Sequence, residues 1–404
     1  MTSEWNHSTI NDVCVLVTDG SHSSPKSVND GKYMVSVKDF TDYGFDFASC
    51  RMISNDDYET LKRNGCVPQI DDILIGKDGA RFFEDIIIYR QREKPALLSS
   101  IAILRCDKSK ILPDFLYYVL RTPSFRQDVK DNYGSGSAIP RIILKDFKRM
   151  MVSYPSLEKQ QAIISVLTAI DSKIQANTEI NDNLQQQAAA IFRSWFVDCA
   201  PFGGKTPDEW ENVTLEDITA LVSRGITPKY ADDTDQIVIN QKCIRNHMID
   251  LSLARTHTPK VINEKWLRFG DLLVNSTGDG TLGRAAQVWF QPKNITVDSH
   301  VTIARPAKEN LIFYIGLWGI LHEKEIESLH IGSTGQTELP RDRVKAMELL
   351  LPDNDTLDRF NALITPMATA IVANQEENNR LAALRDAILP KLMSGKIDVS
   401  AIQP

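Results

Sequence analysis

The chain has 404 residues, 42% hydrophobic and 25% charged, which is enough for two or three soluble globular domains. Its 46 Lys and Arg against 53 Asp and Glu leave a net charge of −7. Residues 1–150 balance to zero and residues 201–351 to −3, so neither could hold nucleic acid by net charge, and any such contact must come from local patches.

The N-terminus (MTSEWNHSTI) shows no basic region followed by an apolar run, so no secretory signal is expected. The apolar run Leu311–Leu321 spans 11 residues, too short for a membrane, and predicts a buried helix. The six Cys form no C-x-x-C pair, which suggests reduced thiols and a cytoplasmic location. None of the seven His falls in a ligand spacing, so no structural metal is expected.

In chain order, the first 150 residues read as mixed α/β. Strand-like runs are Val13–Val17, Tyr33–Val37, Asp72–Ile75, Ile86–Tyr89 and Ile101–Arg105, broken by Gly, Asp and Ser. Phe115–Leu120, set up by Pro113-Asp114, reads as a short helix.

From Pro155 to about Asp198 the pattern changes. Steps of 4 and 3 give Ile163, Leu167, Ile170, Ile174, Asn177, Asn181, Leu184, Ala188, Ile191 and Trp195, the seam of a long helix packed on another helix. The stretch has no Gly, and its one Pro stands at the start, where the missing N–H costs nothing.

The second half repeats the first. Thr214–Ile218 (TLEDI) answers Thr9–Val13 (TINDV), Ile239–Ile244 answers Val35–Phe40, and Asp271–Val274 (DLLV) answers Asp72–Ile75 (DILI). Each D-x-L-x run leads into a Gly-rich turn, GKDGAR or NSTGDGTLGR, and His300–Arg305 answers Ser100–Arg105. A Gly/Ser loop ending in Pro-Arg precedes each helix, at Arg141 and at Arg341.

The seam itself returns 197 residues later as Phe360, Ile364, Met367, Ile371, Asn374, Asn378, Leu381, Arg385, Ile388 and Leu392. Asn within an apolar seam costs stability but fixes register, because each amide needs a partner. The Asn pairs are central in both seams, so the layers can meet in either helix orientation. Antiparallel packing is favoured, since it throws the two domains to opposite ends of the rod and spares the second connection a full rod length to retrace. Pro366 is expected to kink the second helix.

The helix signature PSLEKQQAIISVLTAIDSKI…NDNL…AAAIFRSWFVD, with its repeat ending LRDAILPKLMSGKI, resembles the specificity (S) subunit of type I restriction–modification systems. The resemblance implies an α+β fold with internal pseudo-two-fold duplication. Two mixed α/β target-recognition domains, 1–153 and 199–351, would be separated by two long helices, 154–198 and 352–404, forming an antiparallel coiled coil. Each domain would read one half of a split, asymmetric site on double-stranded DNA. The helices would set the gap and dock two methyltransferase (M) subunits, and endonuclease-translocase (R) subunits would join for cleavage. S-adenosylmethionine, Mg²⁺ and ATP would be bound by those partners and none by this chain.

No catalytic site is legible. An adenine methyltransferase needs a [DN]-P-P-[YF] loop, yet none of the 18 Pro is adjacent to another or follows Asp or Asn. Walker A is absent, and Pro113-Asp114…Asp128-Val129-Lys130 matches a nuclease pattern only on paper, within a helix-like stretch and without a counterpart in the second half. Two rival readings are a remnant of a fused methyltransferase-nuclease specificity chain and a scaffold that binds proteins.

For DNA reading, Arg suits guanine, Asn or Gln suits adenine, and Lys, Ser and Thr suit phosphates and mixed edges. Candidates in the first half are Ser23, Lys26, Lys38, Lys77, Arg81, Ser135, Ser137 and Arg141. Those in the second are Arg224, Lys229, Asn240, Lys242, Arg245, Thr277, Arg284, Thr334, Gln336 and Arg341. Phe192, Trp195 and Phe196 are bulkier than one partner helix needs; they pack under the second domain, offer a groove to an M subunit, or do both.

Overall fold

The computed structural model describes all residues except 1–4, 42, 49, 80, 135–139, 279, 333–336, 398 and 400–404. By packing, the chain divides into two compact units, Met1–Ile174 with Asn379–Pro404, and Gln175–Asn378. Each unit therefore joins one globular domain to half of each long helix.

In the first unit, Ile101–Cys106 is flanked by Cys14–Asp19 and Ile73–Gly76, and Ile86–Ile88 lies outside the latter, all antiparallel. In the second, Val301–Pro306 is flanked by Thr219–Arg224 and Leu272–Asn275, with Ala285–Gln287 outside. A three-stranded sheet recurs as well: Lys32–Val35 between Arg51–Ile53 and Ala96–Leu97, and Ile237–Ile239 between Arg255–Thr256 and Ile295–Val297. The terminal strands of each domain pair with each other, Asn6–Thr9 with Met151–Tyr154 and Glu211–Thr214 with Glu348–Leu351. The duplication read from the sequence is thus a duplication of topology.

The central strands carry continuous apolar runs because both faces are covered: Ile73, Leu74 and Ile75 are fully buried, as are Leu272, Leu273 and Val274. The aligned TINDV and TLEDI segments turn in the same way, each Thr hydroxyl donating to the Asp three residues on, Thr9 to Asp12 at 2.6 Å and Thr214 to Asp217 at 2.7 Å. The expected strands all form, with ends displaced by one or two residues. Helices Asn55–Arg63 and Pro123–Asn132 escape periodicity, since each buries no more than two residues. The run at Leu311–Leu321 forms a buried helix, Ile312–Leu321, after a single 3-10 turn. No helix among the described residues is long and apolar enough to cross a membrane.

Both long helices are 40 residues, Leu157–Phe196 and Asn354–Met393, and the second continues as helix through Pro366. In the first unit Ile163, Ile164 and Leu167 share a core with Leu389 and Leu392. In the second, Ala188 and Phe192 share one with Phe360, Ile364 and Ile371. The Asn layer sets the register: Asn177 Nδ2 donates to Asn378 Oδ1 at 2.9 Å, and Asn374 Nδ2 to Asn181 Oδ1 at 2.8 Å. Because 177 pairs with 378 while 181 pairs with 374, the helices run antiparallel.

Each helix is also tied to its own domain. Buried Gln160 accepts from Leu112 N at 2.8 Å and donates to the Lys110 carbonyl at 3.0 Å; Asn361 donates to the Asn310 carbonyl at 2.8 Å.

The aromatic end of the first helix packs into the second domain. Phe192 is 2% exposed, and Phe196 packs 4.8 Å from Phe360 and 4.9 Å from Tyr314. Trp195 packs against Phe202 and Phe360 and lies under the Arg359 guanidinium. These rings seat the second domain on its helices, leaving Phe192 no face for a partner subunit.

Candidate nucleic-acid interface

In an antiparallel sheet, alternate strand ends lie together, and that rule gathers the candidate loops. In the first unit, Asp19, Gly76 and Ile101 stand at one end of the central sheet. Ser21 bridges to Leu98 and Ser99 N donates to the Ser21 carbonyl, placing the Ser21–Lys26 loop beside the turn before Ile101. Lys77 N donates to the Ser100 carbonyl, Gly79 N to Pro140 and Ile142 N to Lys77, which brings in the Gly-rich turn and Arg141.

The second unit repeats this with different residues. Ile226 bridges to Asp298, Ser276 N donates to the His300 carbonyl, and Leu339 N to the Ser276 carbonyl. Asn275 Nδ2 donates to the Gln241 carbonyl at 3.0 Å, adding the Asn240–Lys242 turn to the same sheet end.

Two glycines make these loops possible. A Cβ on Gly20 would lie 2.3 Å from the Leu97 carbonyl oxygen, and one on Gly225 2.0 Å from that of Val297. Only a residue without a side chain lets the loop cross the neighbouring strand this closely. The loops are then braced from the side: Arg51 donates to the Pro25 carbonyl and Ser24 Oγ at 3.0 and 2.8 Å, and Lys265 to the Gly225 carbonyl at 3.0 Å. Sequence reading missed these braces, since nothing in the sequence ties Arg51 to a loop 26 residues away.

The candidate residues divide by what their side chains already do. Lys26, Lys38, Lys229, Lys242 and Arg245 are exposed and make no ion pair among the described residues. Ser23 and Arg141 are exposed at the same sheet end. Arg81 is 72% exposed, with Asp85 at 2.9 Å; Arg341 is half exposed beside Asp342. Ser135, Ser137, Thr334 and Gln336 lie outside the described residues.

Others are spent on the fold. The Lys77 side chain is 8% exposed and sits 3.4 Å from Asp19 and 3.7 Å from Asp78, so it orders the turn and is withdrawn from a phosphate. Arg224 is held by Glu338 at 2.6 Å and the Leu339 carbonyl at 2.8 Å, and Arg284 donates to the Gly280 carbonyl. Asn240 caps its own turn, accepting from Lys242 N, and donates to Leu253, which occupies both ends of its amide. Among the described residues no three His, Cys, Asp or Glu side chains gather as a metal cluster.

A model of the type I restriction modification DNA specificity domain matches residues 2–186. The chain is 26% identical over 322 residues to the MjaIX specificity subunit of Methanocaldococcus jannaschii, covering 73% of this chain and 71% of that one. It is 23% identical over 375 residues to the HindI specificity subunit of Haemophilus influenzae, covering 73% and 80%. The chain is thus similar to type I specificity subunits, with their DNA specificity domain matched over its first half. Its fold is likewise that of a solved S subunit from M. genitalium, with a TM-score of 0.56 at 14% identity over 97% of this chain and 96% of that one. The match to residues 2–186 covers the first domain and most of the first long helix, and the second half repeats their topology.

Proposed function

We propose that this chain is a specificity subunit that reads a bipartite, asymmetric DNA site, one half through each loop cluster, and that its helical pair sets the spacer and docks two M subunits. One observation carries the reading: the same sheet is built twice, and each copy gathers distant loops at one sheet end, with Lys26 and Arg141 exposed on those of the first and Lys242 on those of the second. Lys26 and Lys38 in the first unit, and Lys229, Lys242 and Arg245 in the second, are the residues assigned to DNA. Phosphate contacts position such a protein, and base-edge contacts select the sequence. With near-neutral domains, much of the phosphate affinity falls to partner subunits.

In this reading the chain is not an enzyme. Methyl transfer with S-adenosylmethionine belongs to the M subunits, and Mg²⁺- and ATP-dependent cleavage to the R subunits. The absence of a [DN]-P-P-[YF] loop and of Walker A supports that division of labour.

The test is sequencing of methylated bases in DNA modified by the chain together with its M subunits, and by each alone. A split motif should appear only with both. Methylation by the pure chain would overturn the assignment, and a continuous motif would overturn the two-domain reading.

A further inference from the structure

The two loop clusters present different chemistry at the same backbone positions. Lys77 N bonds to the Ser100 carbonyl at 2.9 Å, and Ser276 N to that of His300 at 2.8 Å; Asp78 bridges to Arg141, and Thr277 to Glu338. Lys77, Asp78 and Ser100 therefore correspond to Ser276, Thr277 and His300. In the first unit these positions hold a buried Lys–Asp cluster, closed on itself through Asp19. The second unit has no Lys–Asp cluster at those positions; the charge pair beside them is Arg224 with Glu338 at 2.6 Å. Instead an exposed imidazole stands at the sheet end, and its orientation is fixed from several sides.

The His300 backbone N donates to Asp298 Oδ1 at 2.9 Å, and Asp298 is itself 3% exposed. The ring Nδ1 lies 2.7 Å from Thr277 Oγ1, and Thr277 Oγ1 lies 3.1 Å from Gln241 Oε1. A hydroxyl has one proton to give. Gln241 Oε1 can only accept, so the Thr277 proton goes to it and Thr277 must accept from His300. Nδ1 then carries the ring hydrogen, and in the neutral ring Nε2 is left as a bare acceptor on the exposed side.

We infer that His300 is a specificity-determining residue of the second recognition domain, its Nε2 accepting a hydrogen bond from the exocyclic amino group of an adenine or cytosine. Thr277 and Gln241 act as positioning residues that fix the tautomer. This inference rests on the proposed DNA reading. The chemistry follows from the groove: adenine N6 and cytosine N4 are the amino donors on the major-groove edge, whereas guanine and thymine present acceptors there. A bare acceptor selects the first pair and rejects the second.

The test uses the full chain in complex with its M subunits and a DNA library randomised across both half-sites, read out by sequencing of methylated products. His300→Ala should lower base discrimination about tenfold at one position of one half-site, leaving the other half-site as an internal control of folding. Thr277→Val should relax the same position, because the ring is then free to turn or change tautomer. Thr277→Ser should keep the wild-type preference, since the serine hydroxyl can make the same two bonds. A uniform loss of affinity across all sequences would make His300 a phosphate contact and overturn the inference. So would an unchanged motif in His300→Ala, or a purine-to-pyrimidine shift in both half-sites together. If the unaltered complex shows no split motif, the DNA reading itself fails, and the two failures are told apart.

Discussion

Arg305 donates two hydrogen bonds of 2.8 Å to Asp271, whose carboxylate is fully buried, and two more to the carbonyls of Glu264 and Trp266 at 2.8 and 2.6 Å. Arg105 and Asp72 repeat the pair with two bonds of 2.8 Å, but there the Arg side chain is 28% exposed. Each pair locks the strand that ends in the Gly-rich turn to its central neighbour. Removing one partner of a buried pair leaves an uncompensated charge and costs about 3–5 kcal/mol. Arg305→Met should therefore unfold the second unit at markedly lower urea concentration than Arg105→Met does the first. Tryptophan fluorescence would follow the second unit, which holds Trp195, Trp210, Trp266, Trp289 and Trp318. Equal losses in the two variants would refute the role given to burial.

Asn181 is 3% exposed and supplies the oxygen that Asn374 needs. Asn181→Ala leaves that amide without its partner inside the helix pair, at a cost of about 1–3 kcal/mol. The double variant Asn181→Leu/Asn374→Leu should recover most of the loss, since two apolar groups replace two satisfied polar ones. Thermal unfolding of the three proteins decides it, and a double variant weaker than the single one would contradict the account.

His257 is fully buried, and neither ring nitrogen has a hydrogen-bond partner among the described residues. Burial holds its pKa below the usual value, against an upward pull from the Thr258 backbone and with the Lys260 charge acting in the same direction as burial. The sign follows: below the unfolded pKa of about 6.5, the unfolded chain binds a proton that the folded ring resists. Stability of the second unit should thus fall as pH drops from about 6.5 through the lower folded value. His257→Leu should flatten that limb in urea melts taken from pH 7.5 to 5. A limb of unchanged slope would show that other groups carry it.

Gly225→Ala should distort the loop that leads to Lys229, because its Cβ would meet the Val297 and Asp298 carbonyl oxygens at 2.0 and 2.4 Å. Gly20→Ala should do the same for the loop that leads to Lys26. In complexes with M subunits, each variant should weaken recognition of one half-site at least tenfold and spare the base preferences of the other. Loss of the same half-site in both would show that the domains do not read independently.

The helical ruler predicts a change of spacer. One heptad added to each long helix beside the Asn layer keeps the antiparallel seam in phase and lengthens it by about 10 Å, at roughly 1.5 Å per residue. At roughly 3.4 Å per base pair, the preferred spacer should grow by about 3 pairs. DNA bending can trim this by a pair, since the half-sites also rotate about the duplex. A heptad in one helix only should misalign the Asn layers and destabilise the chain. An active double insertion with the original spacer would mean that the helices are not the ruler.

The long helices were legible in the sequence because a heptad seam is a local signal: every seam position from Ile163 to Trp195 and from Phe360 to Leu392 is buried or half-buried. The duplication was legible for a similar reason, since matched D-x-L-x, TINDV and SIAILR segments recur in the same order. The Asn layers alone left the helix orientation open, because a central pair meets in either direction; the connection length favoured antiparallel packing, and the bonds 177–378 and 181–374 bear it out. Nor could residue type separate Lys38, which stands exposed, from Lys77, which is drawn inward by Asp19 from 58 residues away. His300 drew no attention as a lone histidine after a loop, and only the meeting of Gln241, Thr277 and His300 gave its ring a direction. Periodicity and turn chemistry act over a few residues and can be read along the chain. The partner of a buried charge or a ring nitrogen is set by strand order, which brings together residues that the sequence keeps far apart.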